Sequence, residues 1–104
     1  RRCAVHDPIT VPVDPEIIDL AEGFLEHRRK VAQQARSAIA TEDWKLLHRI
    51  GHELKGTAGR YGLRELSAIG LTLEDAALTH DLSQAEEAVD RMSRYVARVT
   101  VVPL

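Results

Sequence analysis

At 104 residues, with 44% hydrophobic and 29% charged residues, the chain has the size and composition of one globular domain that buries a core without metal or disulfide staples. A net charge of -2, from 14 basic and 16 acidic residues, leaves no electrostatic footprint for nucleic acid. The single cysteine, Cys3, excludes a disulfide framework or a cysteine-rich zinc site within one chain.

That cysteine usage fits a reducing cytoplasm. No apolar run approaches the roughly 18 residues needed to span a bilayer, and Arg1-Arg2 is followed by no hydrophobic segment of signal-peptide type, so no membrane contact is expected. The missing initial methionine suggests a trimmed product or a domain cut from a longer protein.

Residues 1 to 13, with Pro8 and Pro12 among β-branched residues, read as an extended lead-in or linker, and residues 14 to 104 as the domain. Asp14-Pro15-Glu16 offers an N-cap, a proline at the first helical position and an acid in the first turn, which predicts a helix start. From there Ile17, Ala21, Phe24, Leu25, Val31, Ala32, Ala35 and Ile39 recur at steps of mainly three and four, outlining one buried stripe to about Ala40. The dense basic run "HRRK" at 27 to 30 reads as a solvated face.

Thr41 is expected to cap a second helix with Trp44, Leu47, Ile50, Leu54 and Ala58 on its inner side, running to about Gly59. Gly59 and Gly62 bracket Arg60-Tyr61 and mark a tight connection. Leu63, Leu66, Ile69, Leu73, Ala76 and Ala77 outline a third helix. Asp81 followed by Gln84 resembles a capping box for a fourth, with Ala85, Ala88, Val89, Met92, Val96 and Val99 on its core side. Only the lead-in and the C-terminal end carry short β-branched runs, so the expected class is all-α, an antiparallel up-and-down four-helix bundle with short links.

The stretch "HELKGTAGRYG", residues 52 to 62, places three glycines in eleven positions, with Gly51 just before it. Glycine in a helix interior costs about 0.5 to 1 kcal/mol relative to alanine, so stability does not explain Gly51 and Gly56. At about 100° per residue His52 lies about 140° from Leu47, facing away from the core, and Lys45, His48, Lys55, Gly56 and Gly59 share its outward half. The glycines flanking His52 are read as clearing space around its ring for another protein. An imidazole free of a proton on one nitrogen is a nucleophile, and the ammonium of Lys55 one turn away suits a group that becomes anionic on reacting, such as a phosphorylated imidazole.

Plainer readings stand beside these. His48 is an exposed neighbour, a rim contact or an orienting partner of His52, and His48 with His52 has the i, i+4 spacing of a helical metal pair that lacks a third ligand. The zincin signature is absent because position 56 is glycine, and no metal site is expected. Lys45 and Arg49 form a solvated face or a basic rim for an acidic partner. His6, His27 and His80 read as scattered surface residues, and Trp44 and Met92 as core.

"H-E-L-K-G", followed by Gly62, Leu66 and "L-T-L-E" at 71 to 74, resembles the histidine-containing phosphotransfer (HPt) domain, with His52, Leu54, Lys55, Gly56, Gly62, Leu66 and Leu73 matching its pattern over about 25 residues. The resemblance implies a bundle that takes a phosphoryl group from a receiver-domain aspartate and passes it to another receiver. His52 then carries the phosphoryl group, Lys55 helps hold it, and Gly56 leaves room for the receiver, with His48, Lys45 and Gly59 on the docking surface. It implies no cofactor on this chain, Mg²⁺ in the receiver, a histidine kinase or hybrid kinase among the partners, and a monomer. With no phosphate-cradling glycine loop for ATP, the chain is not expected to be a kinase by itself. The phosphate-accepting domain of a chemotaxis-type histidine kinase and an unphosphorylated helical adaptor are the alternatives.

Overall fold

The apolar spacing resolves into four helices framed by two short strands. A computed structural model describes residues 8 to 104, and the first part of the lead-in, with Cys3 and His6, lies outside the described residues. The elements run β1 (Ile9–Val13), α1 (Ile18–Thr41), α2 (Trp44–Arg60), α3 (Arg64–Thr79), α4 (Leu82–Arg98) and β2 (Val99–Pro103).

Leu47, Leu54, Leu63, Leu66, Ile69, Leu73, Val89 and Met92 are the largest fully buried side chains. Each contributes about 1.5 to 3 kcal/mol of burial, so this interior outweighs any single cap or surface pair. Successive helices pack on one another, and α4 returns against α1. Arg29 Nε donates to the Val96 carbonyl at 2.8 Å and Arg36 pairs with Asp90 at 3.0 Å along that last seam.

Several ends differ from the sequence-based expectation. Asp14 Oδ1 accepts from the Glu16 backbone N–H at 2.9 Å and the Asp14 carbonyl accepts from Ile17, so the capping chemistry serves a turn and α1 begins only at Ile18. Thr41 does not cap α2. It ends α1, its hydroxyl directed at the carbonyls of Ser37 and Ala38, while Asp43 accepts from the Leu46 N–H at 3.2 Å as the N-cap of α2. The acid wins because Glu42 turns left-handed (φ 53°) and puts the start of the helix two residues later. Asp81 caps α4 as expected, accepting from Gln84 at 3.0 Å.

The class is helical with one addition that the sequence reading did not foresee. β1 and β2 pair in parallel, Ile9 opposite Val99 through Val13 opposite Pro103, and the Leu104 N–H donates to the Val13 carbonyl at 3.0 Å. Val99 was expected on the fourth helix. It is extended instead (φ -78°, ψ 138°), because the run Val99, Val101 and Val102 prefers a pleated surface, and Val99 and Val101 bury their side chains while Thr100 faces out. Pro12 is tolerated in such a two-stranded edge pair.

The tightest seam joins α2 to α3. A Cβ added at Gly51 would stand 2.6 Å from the Glu74 backbone nitrogen and 2.7 Å from the Gly70 carbonyl, and one at Gly70 would stand 2.6 Å from the Lys55 nitrogen. The two backbones therefore touch, and Gly51 is buried between helices. This corrects the reading of Gly51 as a space-clearing residue beside His52: it faces α3. Trp44 lies against His80 and Ser67 against Lys55 along the same seam, and Gly62, at φ 75°, makes the left-handed turn that joins the two helices.

Candidate functional site

With the α2 and α3 backbones in contact, a side chain at position 74 reaches across to the outer edge of α2. Glu74 is 8% exposed, the one charged residue in the buried set among the described residues. Its Oε2 lies 2.8 Å from His52 Nδ1, and its Oε1 accepts from Lys55 Nζ at 2.8 Å. Both carboxylate oxygens thus have a charge-assisted partner, as a buried charge requires.

An ionised carboxylate can only accept, so a hydrogen bond at this distance puts a proton on Nδ1, which in the neutral ring leaves the lone pair on Nε2. The His52 side chain is 65% exposed. The arrangement therefore offers a largely exposed ring held at Nδ1, whose neutral form has its lone pair on Nε2, which is what a nucleophilic imidazole needs. The hydrogen bonds from Lys55 and then from His52 hold the Glu74 carboxyl below the usual carboxylate range, against the opposing effect of burial. Glu74 is consequently an anion at neutral pH.

Lys55 shares the outward half of α2 with His52, as expected, but it leans toward α3 and its ammonium is engaged by Glu74. It is half-buried, and Ser67 Oγ donates to its carbonyl at 2.8 Å, fastening that turn of α2 to α3. His48 is also half-buried. Its Nε2 stands 3.7 Å from Glu74 Oε2, and its ring lies parallel to that of His52 with centroids 6.3 Å apart. Around a Cβ added at Gly56 there is nothing within 4 Å, whereas at Gly59 one would make ordinary contact with Ser67 Oγ at 3.7 Å. Lys45 is exposed on the same side. The six residues singled out from the sequence thus share one face of α2, and three of them converge on Glu74.

Glu74 itself was missed, being the last letter of the "LTLE" quoted for its leucines. A signal existed: Glu74 follows Gly70 by four and precedes Ala77 by three, so an acid interrupts the buried stripe of α3. Trp44, read as core, is only partly buried and stacks on His80, centroids 4.9 Å apart at 9°. His80 is therefore not an idle surface residue. Among the described residues no group of three or more His, Cys, Asp or Glu side chains is placed to hold a metal ion. No helix among them is long and apolar enough to cross a membrane.

The chain matches no curated protein and no solved structure at a significant level. The family model described as Hpt domain matches residues 19–100, which includes all four helices but for the first residue of α1. With His52, Lys55 and Glu74 inside that match, the chain belongs to the Hpt domain family.

Proposed function

We propose that this domain is a phosphoryl relay, in which His52 accepts a phosphoryl group from a receiver-domain aspartate and passes it to a second receiver. The observation that carries the reading is the Glu74 contact to His52 Nδ1, which leaves Nε2 as the outward nucleophile. Nε2 attacks the phosphorus of the aspartyl phosphate, the N–P bond forms, the P–O bond to the aspartate breaks, and the carboxylate departs free. The ring keeps its Nδ1 proton and takes up positive charge, which the Glu74 anion faces at hydrogen-bond distance. Return to a receiver reverses these steps, and no other proton moves.

Lys55 stands one turn from His52 and, by exchanging one contact with Glu74 for one with a phosphoryl oxygen, would neutralise the incoming charge. Gly56 supplies bare backbone beside the ring for the receiver, with Lys45, His48 and Gly59 around it. The receiver brings its own Mg²⁺. On this reading the four helices form an antiparallel up-and-down bundle, and the domain works as a monomer in the cytoplasm, fed by a histidine kinase or hybrid kinase.

The test is transfer from phosphorylated receiver domains. His52→Gln abolishes acid-labile, alkali-stable labelling while circular dichroism keeps its helical signal. A variant that still labels, or a wild-type chain that no phosphodonor labels, sinks the relay in favour of an unphosphorylated adaptor.

A further inference from the structure

The strand pair has an edge with nothing bonded to it. The Leu104 N–H donates to the Val13 carbonyl, so the backbone at position 104 faces β1, and by the alternation of a parallel ladder Val102 and Thr100 face it too. The two prolines agree with that phase: Pro12 and Pro103, which have no N–H, both fall on positions that face away from the partner strand. Val99 and Val101 therefore turn their backbone groups outward from the pair. The Val99 N–H is taken by the Tyr95 carbonyl as α4 ends. The Val99 carbonyl and the N–H and carbonyl of Val101 have no hydrogen-bond partner among the described residues, although both residues are buried.

Those groups border a hollow of about 340 Å³ between β2 and α1, whose α1 side carries Glu22, Gly23, Glu26 and Arg29. Buried backbone polar groups are nearly always paired, and the groups along a strand edge are spaced to pair with another strand. Gly23 has no packing reason to be glycine. It is exposed inside α1, where glycine weakens a helix, and a Cβ added there meets nothing within 4 Å. Its bare backbone keeps the hollow open on the helix side. That wall is acidic: Asp19, Glu22 and Glu26 follow one another at three and four residues along α1, a spacing at which like charges oppose each other. Glu22 and Glu26 have no ion pair among the described residues. Arg29 is engaged with α4, its Nε donating to the Val96 carbonyl.

We propose that the outer edge of β2 docks an extended basic segment of a partner protein, which joins the pair as a third strand. The Val101 N–H and the carbonyls of Val99 and Val101 offer one donor and two acceptors to the added backbone, the way an edge strand takes up a peptide. Every second side chain of the added strand falls on the face where Val99 and Val101 are buried, and over Gly23 a lysine or arginine there meets Glu22 and Glu26. A second copy of this domain is the poorer occupant, because two such edges side by side bring the same carboxylates together. The outer edge of β1 cannot serve instead, since Pro12 interrupts it. None of the residues lining the hollow belongs to the cluster of His52, Lys55 and Glu74, so the proposal does not rest on the relay reading.

The probes are two synthetic peptides, acetyl-Thr-Lys-Thr-Lys-Thr-amide and its counterpart with glutamate in place of lysine, titrated into the isotope-labelled domain while NMR follows the backbone amides. The lysine peptide is expected to shift the Val101 amide, slow its hydrogen exchange and bind about tenfold or more tightly than the glutamate peptide. Glu22→Lys and Glu26→Lys together reverse that order. Gly23→Leu fills the hollow and weakens the lysine peptide about tenfold or more, with phosphoramidate labelling of His52 and circular dichroism as in wild type. N-methylation of alternate amides of the lysine peptide, made in both phases, separates strand pairing from charge attraction: one phase abolishes binding and the other spares it. No shift of Val101 at about 1 mM peptide, equal binding of the two peptides, equal effects of the two methylation phases, or a Gly23→Leu variant that binds as wild type overturns the inference and leaves the relay untouched. Val101 exchange that slows with protein concentration in the absence of peptide makes a second copy the occupant and overturns it as well. Failure of wild type to label while it binds the lysine peptide as expected overturns the relay alone.

Discussion

His52 Nδ1 and Glu74 Oε2 stand 2.8 Å apart across a helix seam that two glycines make possible. Twenty-two residues separate them in sequence, and neither could fix the ring alone. Gly51 and Gly70 let α2 and α3 approach until the Glu74 carboxylate arrives beneath the imidazole, so the orientation of the nucleophile is a consequence of backbone packing.

Replacing that carboxylate separates two contributions. Glu74→Gln keeps an oxygen that accepts from Nδ1 but removes the charge, and Glu74→Ala removes both. Phosphoramidate labelling is expected to fall in the order wild type, Gln, Ala, with the alanine variant slower by roughly 10- to 100-fold, the scale seen when the carboxylate orienting an imidazole ligand is lost. Nitrogen NMR of His52 reads the tautomer directly, and an Nδ1-protonated ring that persists in Glu74→Ala contradicts the assignment.

Lys55 neutralises Glu74 in the resting domain and is placed to meet a phosphoryl oxygen in the reacting one. Lys55→Ala is expected to slow transfer in both directions. It leaves a mostly buried carboxylate with one partner fewer, which costs about 1 to 3 kcal/mol, so the domain stays folded at ambient temperature. Transfer rates and a urea melt check the two halves, and a variant that unfolds at ambient temperature shows that Lys55 is chiefly structural.

The glycines of α2 answer to different constraints. Gly51→Ala puts a methyl 2.6 Å from the Glu74 backbone nitrogen and pries the helices apart, which costs about 1 to 3 kcal/mol and carries the carboxylate away from His52. Gly56→Ala meets nothing and gains about 0.5 to 1 kcal/mol of helix stability. Denaturant midpoints are expected to move in opposite directions, while phosphoramidate labelling slows in the first variant only. A stabilised Gly51→Ala overturns the packing account.

Periodicity carries a reading only as far as one helix at a time. The core sides of all four helices were legible, because Ala21, Leu25, Ala35, Leu47, Leu54, Leu66, Ile69, Leu73, Val89 and Met92 sit at the spacing of a buried stripe. The outward direction of His52 followed from the same wheel. The identity of what lies opposite did not, since Glu74 and Gly70 reach the site only through the pairing of α2 with α3, which no local pattern encodes. Gly51 was misread for that reason: with its neighbour unknown, a missing side chain looks like room for a partner, when it is room for the α3 backbone. The parallel pairing of Ile9–Val13 with Val99–Pro103 was hidden likewise, as two short β-branched runs at opposite ends of the chain.

Acid gives a test of Glu74 that needs no phosphodonor. The carboxyl is held below the usual range in the folded state by Lys55 and then His52, so the unfolded chain binds its proton at higher pH than the folded one does. Its contribution to stability is therefore complete above the ordinary carboxylate pKa of about 4.3 and is lost as pH falls through the lower folded value. Urea unfolding of wild type and Glu74→Gln is expected to show a difference at about pH 5 that narrows below about pH 4, because the protonated acid and the amide are then alike in charge. Other carboxylates titrate in both proteins and cancel in the comparison. A gap that widens as pH falls below about 4 means that Glu74 is stabilised as the neutral acid, which is incompatible with a carboxylate that accepts from both His52 and Lys55.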